Sequence, residues 1–351
     1  MVNKFSLIII TLIVIFSGCS NKTNYSRKPV TNIQITPSNK VVEFGNDFTI
    51  SYHTKVKNGK IKHIELFIDN QLITNTNDLD FSISVDSKKF LPGNHTVKTI
   101  ATKTDSVSAV NYSSFLITSD IIPTNLQYKI IKTFPHNSSY FTQGFEFYNG
   151  LLYEGTGNYG TSLIVSYNPS VGKIISSLKI KDQYFGEGIT ILNGKIYELT
   201  YKSRKGFVYD VNTFKKTGEF TFESKEGWGL CNDGKNLIMS DGTSKITYLD
   251  PSDFHIVKTV DVCDNKNVLN NINELEYVDG IIYANIWTTN TIIKFEASTG
   301  KVLAYMNMEN LLSYIDNSSI DVLNGIAYNQ KEDTFYLTGK FWPKMFCVKF
   351  Y

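Results

Sequence analysis

The alternation of apolar and polar positions divides the chain at about residue 121. Before that point NIQITP, DFTISYHT, HIELFIDN, DFSISVD, HTVKTIAT and YSSFLITS each alternate with period two and are rich in Ile, Val, Thr, Phe and Tyr, which predicts strands. Turn signals such as FGND, KNGK and LPGN separate them. About seven short strands over residues 31–120, with no helical period, predict an immunoglobulin-like β-sandwich. Ile121, Ile122 and Pro123 close this unit and begin a short linker.

From residue 125 to the C-terminus a pattern of polar or glycine-flanked pairs leading into apolar strands recurs five times, in TQGFEF, FGEGIT, GWGLCN, NELEYV and LNGIAY. Aligned on Gly144, Gly188, Gly229, Leu275 and Gly325, the copies are spaced 44, 41, 46 and 50 residues apart. In most copies a turn such as YNG, LNG, NDG or VDG follows, and then a second, a third and a fourth strand-like segment. Four strands in about 40 to 50 residues is the signature of a propeller blade, so the expected fold is all-β: a five-bladed β-propeller preceded by the small sandwich. The last copy stops after its third strand, and YKIIKTF, Tyr128 to Phe134, is the segment available to supply the fourth. Closing the ring this way removes two open sheet edges.

The N-terminus follows other rules. Lys4, an apolar run from Leu7 to Phe16 and then Ser17, Gly18 and Cys19 match an export signal with a lipoprotein processing site, the run being too short to span a bilayer. Residues 1–18 are therefore expected to be a signal peptide. Cys19 becomes the lipidated first residue, residues 19–30 a polar tether, and the product an exported protein anchored to the bacterial cell envelope. The balance of 35 basic and 33 acidic residues, net +2, makes no electrostatic case for nucleic acid. Cys231, Cys263 and Cys347 have no metal-ligand spacing and read as buried hydrophobes, with a Cys231–Cys263 disulfide left open. The five histidines show no ligand spacing either, so neither metal nor cofactor is expected.

In a propeller the innermost strands converge on the central channel. The residues just before the aligned positions are Gln143, Glu187, Trp228, Asn273 with Glu274, and Asn324, and the ends of the second strands add Glu154, Tyr201, Asp241, Trp287 and Lys340. A carboxylate between Gly186 and Gly188, with amides, a lysine and tryptophans around it, describes a small pocket for a polar ligand.

The ordered strings FTQG, LYEGTGNYG, FGEGIT, LTYKSRKGFVYD, EGWGL, SDGTS, NELE, ANIWTT, DVLNGIAY and TGKFWPK, spread from Phe134 to Tyr351, resemble the plant and bacterial type of glutaminyl-peptide cyclotransferase. The resemblance does not extend to the sandwich or the tether. It implies cyclisation of an N-terminal glutamine to pyroglutamate with release of ammonia, on a peptide or protein substrate and without a metal; a monomer is expected. It also implies Glu187 as proton shuttle, Lys340 as a cation toward the amide oxygen, and Gln143 and Asn273 as polar holders. Trp228, Trp287, Tyr201, Phe141 and Phe185 would form an apolar wall. Tyr201 stands where the family commonly has Trp, and HNSSYFTQG replaces an HDP-containing lead-in. Two rival readings stay on the page: a propeller that binds peptide N-termini or glycans without turnover, and a glycosidase needing two opposed carboxylates, for which Glu154, Asp241 and Glu274 are available.

Overall fold

Two packed sheets open the folded chain in the computed structural model, which describes residues 26–315 and 319–351. One has three strands, with Asp47–Lys55 between Val30–Thr36 and Asp80–Asp86. The other has five, Val41–Glu43, Ser108–Thr118, Gly93–Lys103, Ile61–Ile68 and Gln71–Thr76 in spatial order. Their alternating inward side chains, among them Ile50, Ile64, Leu66, Val97 and Ile117, form one core. The sandwich has eight strands where the sequence pattern indicated about seven. Two strands correspond to none of the six segments read from the sequence: Gln71–Thr76, and Val41–Glu43, only three residues long and running parallel to Ser108–Thr118.

Cys19 and the signal segment lie outside the described residues. The tether's last residues are fixed at one end of the sandwich. There Lys103 Nζ, fully buried, reaches Arg27 O at 3.3 Å and Asp105 Oδ2 at 3.2 Å, and also contacts Ser26 Oγ.

Five antiparallel sheets follow as blades 1 to 5 around a channel, spanning 142–179, 186–221, 230–261, 272–307 and 323–350. Tyr128–Pro135 pairs antiparallel with Lys344–Phe350, so the N-terminal segment is the outer strand of blade 5, as the repeat count required. The linker is more structured than expected: Thr124–Asn125 adds a fifth strand, parallel to Val302–Asn307, on the edge of blade 4. The sandwich touches blades 3 and 4. Lys301 Nζ lies 2.7 Å from Asp120 Oδ1 and 3.6 Å from the Phe44 ring centroid, and Asn94 N donates to Asp261 Oδ2 at 3.1 Å. Cys231, Cys263 and Cys347 are buried free thiols, so the Cys231–Cys263 bridge left open by the sequence is not formed.

The inner hairpins explain the spacing signal. Asn149-Gly150, Asn193-Gly194 and Asp279-Gly280 place two consecutive residues at positive φ, the geometry that matches strand twist in a two-residue hairpin turn. At the other end of the same strands the register slips, between Thr142 and Gly144, Gly186 and Ile189, Ile272 and Leu275, and Leu323 and Ile326. Each slip is a β-bulge, which frees a residue from the ladder and re-aims its side chain. The freed residues include Gln143, Glu187, Asn273 and Asn324.

Candidate active site

The bulges aim three of these side chains into one cavity of about 260 Å³, lined by Phe141, Gln143, Phe185, Glu187, Tyr201, Trp228, Asn273, Trp287, Thr288, Asp321, Val322 and Lys340. All nine residues that the family resemblance implies for the site meet here. They come from every blade, so only the closed ring assembles them.

Glu187 is the centre, 3% exposed, and its carboxylate accepts a hydrogen bond from Gln143. The amide of Gln143 is oriented because Asn324 Nδ2 donates to its Oε1 at 3.2 Å, which turns its NH₂ toward Glu187. Burial drives the Glu187 carboxyl well above the usual carboxylate range, and the charge of Glu226 adds to the rise. Lys340 and the Gln143 hydrogen bond pull the other way. Burial also lowers the Lys340 amine below its ordinary range, against the attraction of Glu187 and Asp321. An acid and an amine brought toward each other in proton affinity are suited to moving a proton rather than to holding a static ion pair. Asn273 Oδ1 is buried without a hydrogen-bond partner, an acceptor free for a donor on a ligand.

The wall is aromatic. Phe141 packs edge-on against Phe185 at 6.0 Å, Tyr201 tilts against Phe185 at 5.6 Å, and Trp228 meets Trp287 at 5.4 Å and 79°. Lys340 Nζ sits 4.5 Å above the Phe141 ring, which accepts the cation face-on. Trp287 is 40% exposed and stands at the solvent edge.

Sequence reasoning also placed three carboxylates at these ring positions that do other work. Glu274 accepts from Phe145 N at 3.1 Å and Ile326 N at 2.9 Å, tying blade 4 to blades 1 and 5. Glu154 is buried behind the wall, and Asp241 accepts from Thr243 N in an exposed turn. None of the three lines the cavity. The sequence reasoning missed Thr288, Asp321, Val322 and Glu226. Glu226 accepts from Trp228 Nε1 at 2.9 Å and faces Lys202 Nζ at 3.6 Å, fixing the indole. Asp321, Val322 and Glu226 lay inside recognised strings, DVLNG and EGWGL, and an acid two residues before a wall Trp was the available signal. Among the described residues no three His, Cys, Asp or Glu side chains gather as a metal-binding set.

Fold and cavity together define a five-bladed propeller with a buried acid–amine site inside an aromatic wall. Residues 101–350 match the family model for glutamine cyclotransferase, and residues 29–99 match that for a bacterial Ig domain. The chain is 34% identical over 225 residues to a glutaminyl-peptide cyclotransferase of Arabidopsis thaliana, covering 63% of this chain and 70% of that protein. The crystal structure of Myxococcus xanthus glutaminyl cyclase superposes with a TM-score of 0.61 at 28% identity, over 65% of this chain and 98% of that one. The chain belongs to the glutamine cyclotransferase family.

Proposed function

We propose that the protein is a glutaminyl-peptide cyclotransferase whose chemistry centres on Glu187. Its substrate is a peptide or protein with an N-terminal glutamine. The observation that carries the reading is the family membership together with a buried carboxylate, held by Gln143 and opposed by Lys340, at the position where a glutamine side chain would fold back on its own amine.

In this reading the substrate's α-amine nitrogen attacks the side-chain amide carbon, forming the ring C–N bond. Glu187 takes the proton that the amine gives up and delivers it to the amide nitrogen, which leaves as ammonia when its C–N bond breaks. Lys340 lies on the side where negative charge develops on the amide oxygen. Asn273 Oδ1 accepts a substrate N–H, Gln143 keeps the carboxylate aimed, and the rings of Trp228, Trp287, Tyr201, Phe141 and Phe185 pack on the glutamine methylenes and exclude water. Folding the flexible glutamine into its near-attack shape contributes alongside the proton transfer. A binding-only propeller is disfavoured by the chain's membership of a cyclotransferase family. A glycosidase would require the opposed carboxylates that Glu154, Asp241 and Glu274 do not supply.

The test is ammonia release from a Gln-initiated dipeptide by the chain without residues 1–19, with and without a chelator. Turnover unaffected by the chelator is expected. No ammonia would sink the enzymatic reading, and chelator-sensitive turnover would sink the metal-free mechanism.

We further propose that the enzyme works as an exported monomer tethered through Cys19. What supports this is the SGC signal and the placement of the tether. The chain enters the sandwich beside Lys103, whereas the opposite end of the same strand, at Gly93 and Asn94, meets blade 3. Eleven residues of strand span about 35 Å, so the sandwich would act as a spacer between anchor and site. Cys19→Ala is expected to move the protein from the detergent-requiring membrane fraction to the soluble one. An unchanged distribution would exclude the anchor, and a solution mass of two chains would exclude the monomer.

A further inference from the structure

Behind the cavity wall lies a buried pair that the chemistry above does not use. His136 and Glu154 have side chains 1% and 0% exposed, with His136 Nε2 at 3.1 and 3.2 Å from the two Glu154 oxygens. His136 Nδ1 donates to Trp342 O at 2.6 Å, and His136 N donates to Pro343 O at 2.9 Å. Glu154 also accepts from Thr142 Oγ1 at 2.7 Å and Tyr167 OH at 3.0 Å. Since Trp342 O and the carboxylate are both acceptors, a proton lies on each side of the imidazole, the second one on the line to Glu154.

The sequence positions of these contacts give the pair its meaning. Trp342 is two residues after Lys340, and Thr142 is the residue before Gln143. One bridge therefore joins the loop that carries Lys340, near the C-terminus, to the strand that carries Gln143, just after the ring-closing strand. Tyr140 O, which accepts from Phe341 N at 2.7 Å, reinforces the same junction. Blade 2 supplies an internal comparison. Glu198 occupies the matching position, opposite Ile189 as Glu154 is opposite Phe145, and accepts from Tyr209 OH at 3.0 Å. It has no histidine, its Oε1 lacks a partner, and burial pushes its carboxyl up to about 8. The histidine is thus added at the one blade junction that the chain crosses by joining its two ends.

We propose that His136, clamped between Trp342 O and Glu154, is a positioning residue that holds Lys340 and Gln143 at their working separation. This rests on the roles given above to Lys340 and Gln143. It predicts an effect on the transition state more than on substrate binding, because the aromatic wall that holds the glutamine is built largely from blades 2, 3 and 4. A misplacement of about 1 Å in such a site costs roughly 10²-fold in rate.

The test compares the full chain with His136→Ala, His136→Gln, Glu154→Gln and the His136→Ala/Glu154→Gln double variant, reading kcat and KM for a Gln-initiated dipeptide alongside thermal melting. His136→Ala is expected to lower kcat about 10²-fold with KM changed less than about threefold. His136→Gln, which keeps one donor, should recover part of the loss. The double variant should be no worse than the weaker single one, because one bridge can be broken only once. A folded His136→Ala enzyme with parental kcat, or losses that multiply in the double variant, overturns the proposal. Should His136→Ala fail to fold, His136→Gln decides: lowered kcat at unchanged KM supports it, and parental kcat overturns it. A parent chain that releases no ammonia brings down the functional reading and the proposal with it, whereas an active parent with an indifferent His136 brings down the proposal alone.

Discussion

Glu187→Gln is expected to lower kcat/KM for a Gln-initiated dipeptide by about 10³-fold while raising the melting temperature above neutral pH. Glutamine has the size of glutamate and can still hydrogen-bond Gln143, but it cannot take a proton from the attacking amine. The stability change follows from the direction of the shift. Burial holds the folded carboxyl well above its ordinary range, so between the unfolded and folded pKa values the folded state binds more protons than the unfolded one. Stability contributed by this group therefore falls as pH rises through that window, and removing the group removes the fall. The same shift places the acid limb of the pH–kcat profile above the ordinary carboxylate range, since the working base is the ionised form. Glu226 raises Glu187 by charge repulsion, so Glu226→Gln should move that limb to lower pH while its amide oxygen still accepts from Trp228 Nε1. Parental activity in Glu187→Gln, or a limb that moves to higher pH in Glu226→Gln, would remove Glu187 from the role.

The fold was legible because turn and bulge recur as residue types at nearly constant spacing: three blades carry a two-residue Asn-Gly or Asp-Gly turn, and in four the inner strand slips register by one residue where it enters the ring. The closing strand was legible for a different reason: a blade short of one strand leaves an open edge, and one unpaired segment of the right pattern stood at the other terminus. Residue type at a ring position could not distinguish a side chain aimed into the cavity from one aimed along the wall. Glu187 and Glu274 stand one residue before aligned positions on inner strands, yet Glu274 spends both oxygens on the backbone N–H groups of Phe145 and Ile326. That difference depends on what the neighbouring blades present, which one repeat does not encode. His136 and Trp342 were out of reach for the same reason, since 206 residues separate two atoms 2.6 Å apart. The strand Thr124–Asn125 is too short to show any alternation.

Gly188→Ala is expected to destabilise the propeller by about 3 kcal/mol or more, a fall in melting temperature of roughly 6 to 12 °C for a unit of this size. A Cβ at this position would stand 2.4 Å from Leu230 N and 2.6 Å from Trp228 O, and both are backbone atoms of the next blade. They cannot retreat without stretching the Gly188 N to Trp228 O hydrogen bond of 2.7 Å. The same close approach recurs at Gly144 against Ile189 N, at 2.3 Å, and at Gly229 against Asn273 O, at 2.0 Å, so glycine sets the blade spacing at three successive junctions. Gly234→Ala separates this effect from backbone strain. Its φ is +84° with nothing within 4 Å of the added methyl, so it should cost only about 1 to 2 kcal/mol. Equal losses in the two variants, measured by thermal melting, would refute close approach as the cause. Because Gly188 follows Glu187 in the same bulge, pushing blades 2 and 3 apart also shifts the carboxylate relative to Gln143 and Lys340. Gly188→Ala protein that still folds at low temperature should therefore lose kcat as well as stability, whereas Gly234→Ala should keep its kcat. The glycines on either side of the acid thus connect ring packing to the position of the reacting group.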